Sequence, residues 1–171
     1  MTGRSALSES LFASEVRRRN ITSLEYSTAF YWSDLIFHTH DVIVPNLQDD
    51  GIVVYDRYDL SILTYHEAYG LCHDDLLLDE YVKRDMILCP DVTVFLDPPV
   101  EIALTRIIEC VESSDIDRAF IDAPQLLALI QARMKYHLER TRRRYIALDT
   151  SQMSIAHCVD RILAVIKLTQ Q

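Results

Sequence analysis

The stretch that most constrains the fold is residues 52–70, IVVYDRYDLSILTYHEAYG. Residues 52–56 are β-branched or aromatic apart from the final aspartate, so they are predicted to form a buried strand. Leu60, Leu63 and Ala68 follow at helical spacing. A strand followed directly by a helix is a βα unit, and open α/β sheets bind ligands where a parallel strand gives way to its helix.

An acid, a guanidinium and a phenol stand at that junction, as Asp56, Arg57 and Tyr58. The planar guanidinium can donate two parallel charge-assisted hydrogen bonds, which suits a phosphate group. Arg57 is therefore predicted to bind an anionic phosphate. The alternative is a strand-end arginine that forms an ion pair with Asp56 or Asp59.

Composition narrows the class of protein. A chain of 171 residues that is 49% hydrophobic predicts one domain, 1–171, with a sizeable core. The net charge of −9 argues against a generic nucleic-acid or membrane-surface binder, so local arginines must hold any anionic ligand. The four cysteines lack metal-type spacing and no long apolar run opens the chain, which predicts a cytoplasmic protein with reduced thiols.

The first part of the chain is predicted to be helical. A short helix is indicated by four apolar residues at helical spacing, namely Leu7, Leu11, Phe12 and Val16. Thr22 and Glu25 fit a capping box, so a long helix is expected to start there and to run to about Leu47, with a bend at Pro45.

The second part alternates helices with strands. A helix is predicted after Asp74 and Asp75, ending near Cys89, and then a second buried strand over 92–97. Further helices are expected after Pro99 and, with Asp122 as N-cap and Pro124 in the first turn, up to Arg140. A third strand over Tyr145–Asp149 and a final helix over Ile155–Leu168 complete the pattern. Such alternation predicts a parallel sheet with flanking helices.

Four segments, in this order, resemble the thymidylate kinases. They are Asp56-Arg57-Tyr58 with Ser61 and Tyr65, PDVTVFLD at 90–97 with PVEIALTR at 99–106, Asp117-Arg118, and LDTSQ at 148–152. The resemblance covers nearly the whole chain. It implies an α/β P-loop NTPase fold and an enzyme that moves the γ-phosphate of ATP, with Mg²⁺, to dTMP or a related deoxynucleoside monophosphate.

The resemblance also implies roles for individual residues on the acceptor side. Arg57 would hold the monophosphate, and Asp56 would help to position magnesium and the attacking phosphate, unless it only caps the next helix. Tyr65 and His66, with Ser61, would line the nucleoside pocket, or would simply be half-buried packing residues.

Residues of the long helix would contribute to the same pocket. Tyr31 would belong to the substrate site, whereas Trp32 and Phe30 are expected in the core. Leu35 stands where typical members have an arginine that reads the thymine edge, and a leucine cannot donate that hydrogen bond. Thymine specificity is therefore expected to be weak.

The donor side is implied by the later segments. Arg106 and Arg118 would bracket a lid over ATP, at about residues 109–121, and Arg118 would join Asp56 and Arg57 in catalysis. Ser151 and Gln152 would sit near the adenine of ATP, or would simply belong to a strand-to-helix turn. The lid segment carries acids where family lids are basic, so it is expected to neutralise a transferring phosphoryl group poorly.

The printed sequence contains no G-x-x-x-x-G-K-[ST] motif, because its three glycines are Gly3, Gly51 and Gly70 and none precedes a lysine. We therefore expect a fold without its first two strands, and a fragment or an inactive chain. The alternatives are a non-catalytic nucleotide-binding or dimerising protein, whose long helix packs against its twin in a homodimer, and a structural α/β module. Neither nucleic acid nor membrane is an expected partner.

Overall fold

The computed structural model describes residues 24–48, 51–70, 75–110 and 115–167. The chain divides into two compact units, Met1–Cys89 and Pro90–Gln171, and each is described by itself. The predicted short helix around Leu11 and the capping residue Thr22 lie outside the described residues. The single domain over 1–171 stays a prediction.

The long helix of the first unit is continuous, as predicted. It consists of α1 (Leu24–His38), a π-helical turn (Thr39–Ile43) and α2 (Val44–Leu47). In the π-helical turn the amide of Val44 donates to the carbonyl of Thr39, five residues back. The change of helix type stands immediately before Pro45, which has no amide hydrogen to donate.

Residues 51–58 form no strand, so the predicted buried strand at 52–56 is wrong. The side chains of Ile52 and Val54 are 61% and 77% exposed. A β-branched run favours an extended backbone, but a strand also needs a neighbour for its amide and carbonyl groups. None of the described segments pairs with this one. Gly51 is required at its start, because a Cβ there would collide with the carbonyl oxygen of Asn46.

Two helices complete the first unit. The first is α3 (Asp59–Ala68), predicted from Leu60 and Leu63, which are both buried. The second, α4 (Asp75–Lys83), ends earlier than predicted. The core of the unit consists of large apolar side chains from α1, the π-helical turn, α3, α4 and the segment after α4: Trp32, Leu35, Ile43, Leu60, Leu63, Leu78 and Ile87. Full burial of each contributes about 1.5–3 kcal/mol.

The second unit is built on a parallel pair of strands, β1 (Thr93–Leu96) and β2 (Tyr145–Leu148), which confirms the predicted parallel sheet and third strand. Leu96 pairs with Leu148 in the register. The prediction of a fully buried strand at 92–97 is wrong, because Leu96 is 55% exposed. A strand is buried on both faces when neighbours cover it, and in the described residues β1 has β2 as its single neighbour.

The helices of this unit are α5 (Val100–Glu109), α6 (Asp115–Asp122), α7 (Pro124–Arg140) and α8 (Ile155–Lys167). The first, third and fourth agree with the predicted spans. The helix α6 was not predicted and occupies much of the expected lid. Asp122 is its last residue and not the cap of α7, so that prediction is wrong. Ala123 is the N-cap and makes no side-chain cap bond. The helix breaks there because a proline disfavours helical geometry in the residue before it.

Candidate functional site

Arg57 has a left-handed backbone, with φ of +63°. This conformation costs a residue with a side chain roughly 1–2 kcal/mol. Asp85 and Arg142 also have positive φ, but each lies just past the end of a helix, where a left-handed residue commonly terminates it. Arg57 precedes a helix, so helix termination does not explain its conformation. Strain of this kind concentrates at functional sites.

The guanidinium of Arg57 is exposed and makes one hydrogen bond in the described residues. Its Nη1 donates to the hydroxyl of Tyr65 over 3.0 Å, and its Cζ lies 5.5 Å from the centre of the Tyr65 ring. The described residues give Arg57 no ion pair with Asp56 or Asp59, which was the alternative to phosphate binding. The structure thus brings together two of the predicted site residues, one before α3 and one on it.

The other predicted acceptor residues lie in the same unit without a described contact to Arg57. Asp56 is exposed beside it, and Ser61 lies in the first turn of α3, where its amide donates to the carbonyl of Tyr58 over 3.0 Å. Tyr31 is half exposed on α1. Burial lowers the pKa of His66, which favours the neutral imidazole, able both to donate and to accept.

An aromatic cluster supports the Arg57 loop. The rings of Tyr55 and Tyr58, on either side of Asp56-Arg57, lie 5.4 Å apart at 73°, and Tyr55 also meets the buried His38 edge-on at 5.8 Å. Burial, followed by the charge of Asp34 and the neighbouring Tyr58, raises the pKa of Tyr55 to about 12. The loop is therefore packed against one face of the long helix.

A hydroxyl contact adds to this packing. Thr39, which is 0% exposed, places its Oγ1 3.4 Å from the hydroxyl of Tyr58. Sequence reasoning missed Thr39, His38 and Tyr55 as support for the site. The available signal was the pair of tyrosines that flanks Asp56-Arg57, together with polar residues among the apolar positions of the long helix.

The structure also shows where Leu35 of the long helix lies. Its side chain is 3% exposed and belongs to the core, and Trp32 is likewise buried, as expected, against Tyr81 at 5.2 Å. His38 is buried and His40 is exposed, so the two face different directions. Among the described residues, no cluster of three metal-ligating side chains occurs.

In the second unit, the side chain of Arg106 on α5 reaches the turn that contains Ser151. The Nη1 and Nη2 atoms of Arg106 donate to the hydroxyl and the carbonyl of Thr150, over 2.7 and 2.8 Å. The amide of Ser151 donates to Asp149 over 2.8 Å. Hydrogen bonds from Ser151, and then the charge of Arg106, lower the pKa of the Asp149 carboxyl. Arg106 therefore orders the turn directly.

The remaining predicted donor residues are exposed. Gln152 follows the turn, and Arg118 lies on α6. The described residues show no contact between either and Arg106. A further tie was not predicted: Lys135 on α7 forms an ion pair of 2.7 Å with Asp97, while Gln131 donates to the carbonyl of Pro98 over 2.7 Å. These two bonds fix the chain just after β1 to the middle of α7.

No helix in the described ranges is both long and apolar enough to cross a membrane.

The sequence of this chain is similar to those of known thymidylate kinases. The thymidylate kinase of Levilactobacillus brevis is 31% identical over 122 residues, which cover 70% of this chain and 56% of that protein. The thymidylate kinase of Carboxydothermus hydrogenoformans is 34% identical over 84 residues, covering 48% of this chain and 41% of that protein.

A thymidylate kinase of Xylella fastidiosa is 40% identical over 73 residues, covering 42% of this chain and 33% of that protein. The matches thus span between a third and just over half of these relatives. The family profile described as thymidylate kinase matches residues 3–162. The α/β fold with its parallel strands agrees with that match, and the chain belongs to the thymidylate kinase family.

Proposed function

We propose that this chain binds a deoxynucleoside monophosphate of the dTMP type, and that Arg57 holds the phosphate. The observation that carries the proposal is the strained, left-handed Arg57 with its exposed guanidinium beside Tyr65. Backbone strain is retained where the surrounding structure imposes it, and a phosphate contact is a reason to retain it at an arginine.

The chemistry of the site fits a monophosphate. One N–H of the guanidinium donates to Tyr65, and the others can donate to phosphate oxygens. The Tyr65 ring, Ser61, the half-exposed Tyr31 and the neutral His66 offer apolar surface and hydrogen-bonding groups for a nucleoside. Leu35 is a core residue, so base recognition by an arginine at that position is absent, and dTMP is favoured over other deoxynucleoside monophosphates only weakly.

The proposed activity of the complete enzyme is transfer of the γ-phosphate of ATP to dTMP, which yields ADP and dTDP. Mg²⁺ binds mainly to substrate phosphates and keeps several waters, so the single exposed carboxylate of Asp56 fits an indirect contact. Four residues would face ATP. They are Arg118, Ser151 and Gln152, together with Arg106, which holds the turn that contains Ser151. Magnesium would neutralise phosphate charge during transfer.

We also propose that this polypeptide by itself does not phosphorylate dTMP. The transferred group needs a glycine-rich loop and a lysine to offset its charge, and the printed sequence contains neither in the required pattern. A coupled ADP assay on the purified chain tests this statement. Turnover well above a blank without protein would overturn it.

A second candidate function is dimerisation through the long helix, in a protein that binds nucleotides without catalysis. Three large apolar side chains of that helix, Tyr31, Phe37 and Leu47, are exposed. Exposed apolar side chains favour a protein contact where they form a contiguous patch, so this candidate requires these side chains to share a surface. Sedimentation equilibrium decides this candidate, because a strictly monomeric mass across the concentration range excludes it. The cytoplasmic location stays a prediction from the spacing of the cysteines in the sequence.

Calorimetric titration with dTMP and ATP tests the main proposal. Arg57→Ala should weaken dTMP binding by about 10- to 100-fold, because a charge-assisted bond to phosphate contributes roughly 1.5–3 kcal/mol. The matched control is Arg84→Ala in the same unit, since Arg84 is exposed and paired with Glu80 at 3.2 Å. Equal affinities of wild type and Arg57→Ala, or ATP binding more tightly than dTMP, would overturn the proposal.

A further inference from the structure

We infer that Thr39 and Tyr58 are positioning residues that hold Arg57 in the conformation in which it receives phosphate. The inference rests on the proposed function. Neither residue needs to touch the ligand, because each would act through the backbone of Arg57.

The contact between the two hydroxyls has a direction. The Thr39 hydroxyl donates its hydrogen to the carbonyl of Leu35, over 2.8 Å. A hydroxyl has one hydrogen, so toward Tyr58 the Thr39 oxygen is left to accept, and the Tyr58 hydroxyl donates across 3.4 Å. Thr39 is fully buried and Tyr58 is partly buried, so water reaches this bond only from the Tyr58 side.

Tyr58 joins the long helix to α3. Its backbone is extended as the N-cap of α3, and its carbonyl accepts from the amides of Ser61 and Ile62, over 3.0 and 3.3 Å. Its side chain meets Thr39 on the long helix. With both ends of Tyr58 fixed, the residue directly before it has little freedom in the path of its backbone.

The other end of the loop is fixed in the same way. Tyr55 packs on the Tyr58 ring and on His38 of the same long helix. Arg57 therefore lies in a short loop anchored on both sides to one helix. The anchor on the Tyr58 side is the first residue of the π-helical turn, Thr39, and π-helical turns frequently occur at functional sites.

The test is calorimetric titration of Tyr58→Phe and Thr39→Val with dTMP and with thymidine, which lacks the phosphate. Each variant should bind dTMP about three- to tenfold more weakly, the loss expected for one hydrogen bond that is partly shielded from water. Thymidine affinity should not change. The control is Thr141→Val in the second unit, which removes a comparable threonine bond to the carbonyl of His137, and which should leave dTMP affinity unchanged.

A double-mutant cycle supplies a readout that a merely structural role would not move. If Tyr58 acts through Arg57, Tyr58→Phe should have no effect on dTMP affinity in the Arg57→Ala background. Thr39→Ser keeps the hydroxyl and should retain wild-type affinity. Where Thr39→Val does not fold, Tyr58→Phe, which removes a single oxygen, decides the test.

The possible outcomes separate the two proposals. No effect of Arg57→Ala on dTMP would overturn the proposed function, and this inference with it. A loss in Arg57→Ala with none in Tyr58→Phe would overturn the positioning role alone. That role also fails if thymidine binding falls in parallel with dTMP binding, or if Tyr58→Phe is as damaging in the Arg57→Ala background as in wild type.

Discussion

Two arginines from family-like motifs, Arg57 in the first unit and Arg106 in the second, have opposite surroundings. Arg57 has a strained backbone, one hydrogen bond to a neighbouring phenol and an exposed guanidinium. Arg106 lies in a regular helix and donates from both terminal nitrogens to Thr150. A charged group that already has good partners gains less from a ligand than one without them. The comparison therefore favours Arg57 as a phosphate ligand and Arg106 as a residue that orders a turn.

The largest expected effect comes from the core beneath each region. Leu63→Ala and Leu148→Ala should each lower the free energy of unfolding by about 2–5 kcal/mol, because both side chains are buried. Measured where each variant is fully folded, dTMP affinity should fall for Leu63→Ala, whose helix carries Tyr65, and not for Leu148→Ala. Urea unfolding followed by calorimetry checks both. Equal losses of affinity would contradict the assignment of the acceptor site to the first unit.

The next effect compares the arginines directly. Arg57→Ala should weaken dTMP binding by about 10- to 100-fold, whereas Arg106→Ala should change it by less than about twofold. Arg106→Ala should instead speed hydrogen exchange at the amide of Ser151, because its turn loses two bonds. Calorimetry and exchange on the same samples are the measurements. If Arg106→Ala weakens dTMP binding as much as Arg57→Ala, the contrast between the two arginines is wrong.

The burial of Tyr55, which supports the Arg57 loop, predicts a loss of folding stability at alkaline pH. The pKa of Tyr55 is about 12 in the folded chain and about 10 when unfolded, so the folded state keeps its proton longer. Stability from this group is complete below pH 10 and is lost as the pH rises to 12. Tyr55→Phe should remove that part of the decline in unfolding free energy, measured against wild type. A decline identical in the two proteins would contradict burial of this phenol.

The smallest expected effect is a shift in the pKa of Asp149, which lies in the turn of the second unit and affects stability at acidic pH. The pKa of Asp149 is lowered, so its contribution to stability is present above the unfolded value and is lost as the pH falls through the folded value. Arg106→Ala should move that pKa up toward the ordinary value by a small amount, since the Ser151 bonds are the larger cause. Carbon-13 NMR titration of the carboxyl measures the shift. A downward shift of the Asp149 pKa in Arg106→Ala would contradict the lowering effect assigned to Arg106.

Helices were the most predictable part of the fold. Their signals are local: Pro99 and Pro124 mark helix starts, and Leu60 with Leu63 marks a buried face. The prediction of a strand at 52–56 was wrong because a strand depends on a partner elsewhere in the chain. Local composition does not reveal whether such a partner is present. The prediction that Asp122 is the N-cap of α7 was wrong for a related reason. Helix α6 extends to Asp122, and Pro124 sets the position of the break between the two helices.

The candidate site was predictable in its residues and not in their partners. The sequence placed Arg57 and Tyr65 on one predicted strand-helix unit, and in the structure the two side chains are in contact although the strand does not form. It did not indicate that Thr39 and His38 support the loop, or that Leu35 is a core residue. Those facts depend on how the long helix is rotated against α3.

The sequence by itself determined the family, the alternation of helices with strands and the order Asp56-Arg57-Tyr58 before a helix, because each follows from neighbours along the chain. Only the tertiary structure decided the surroundings of each arginine. The left-handed conformation of Arg57 and the bonds of Arg106 to a residue 44 positions away require packing between distant segments. Side-chain type sets what a group can bind, and packing sets which of its donors are already used.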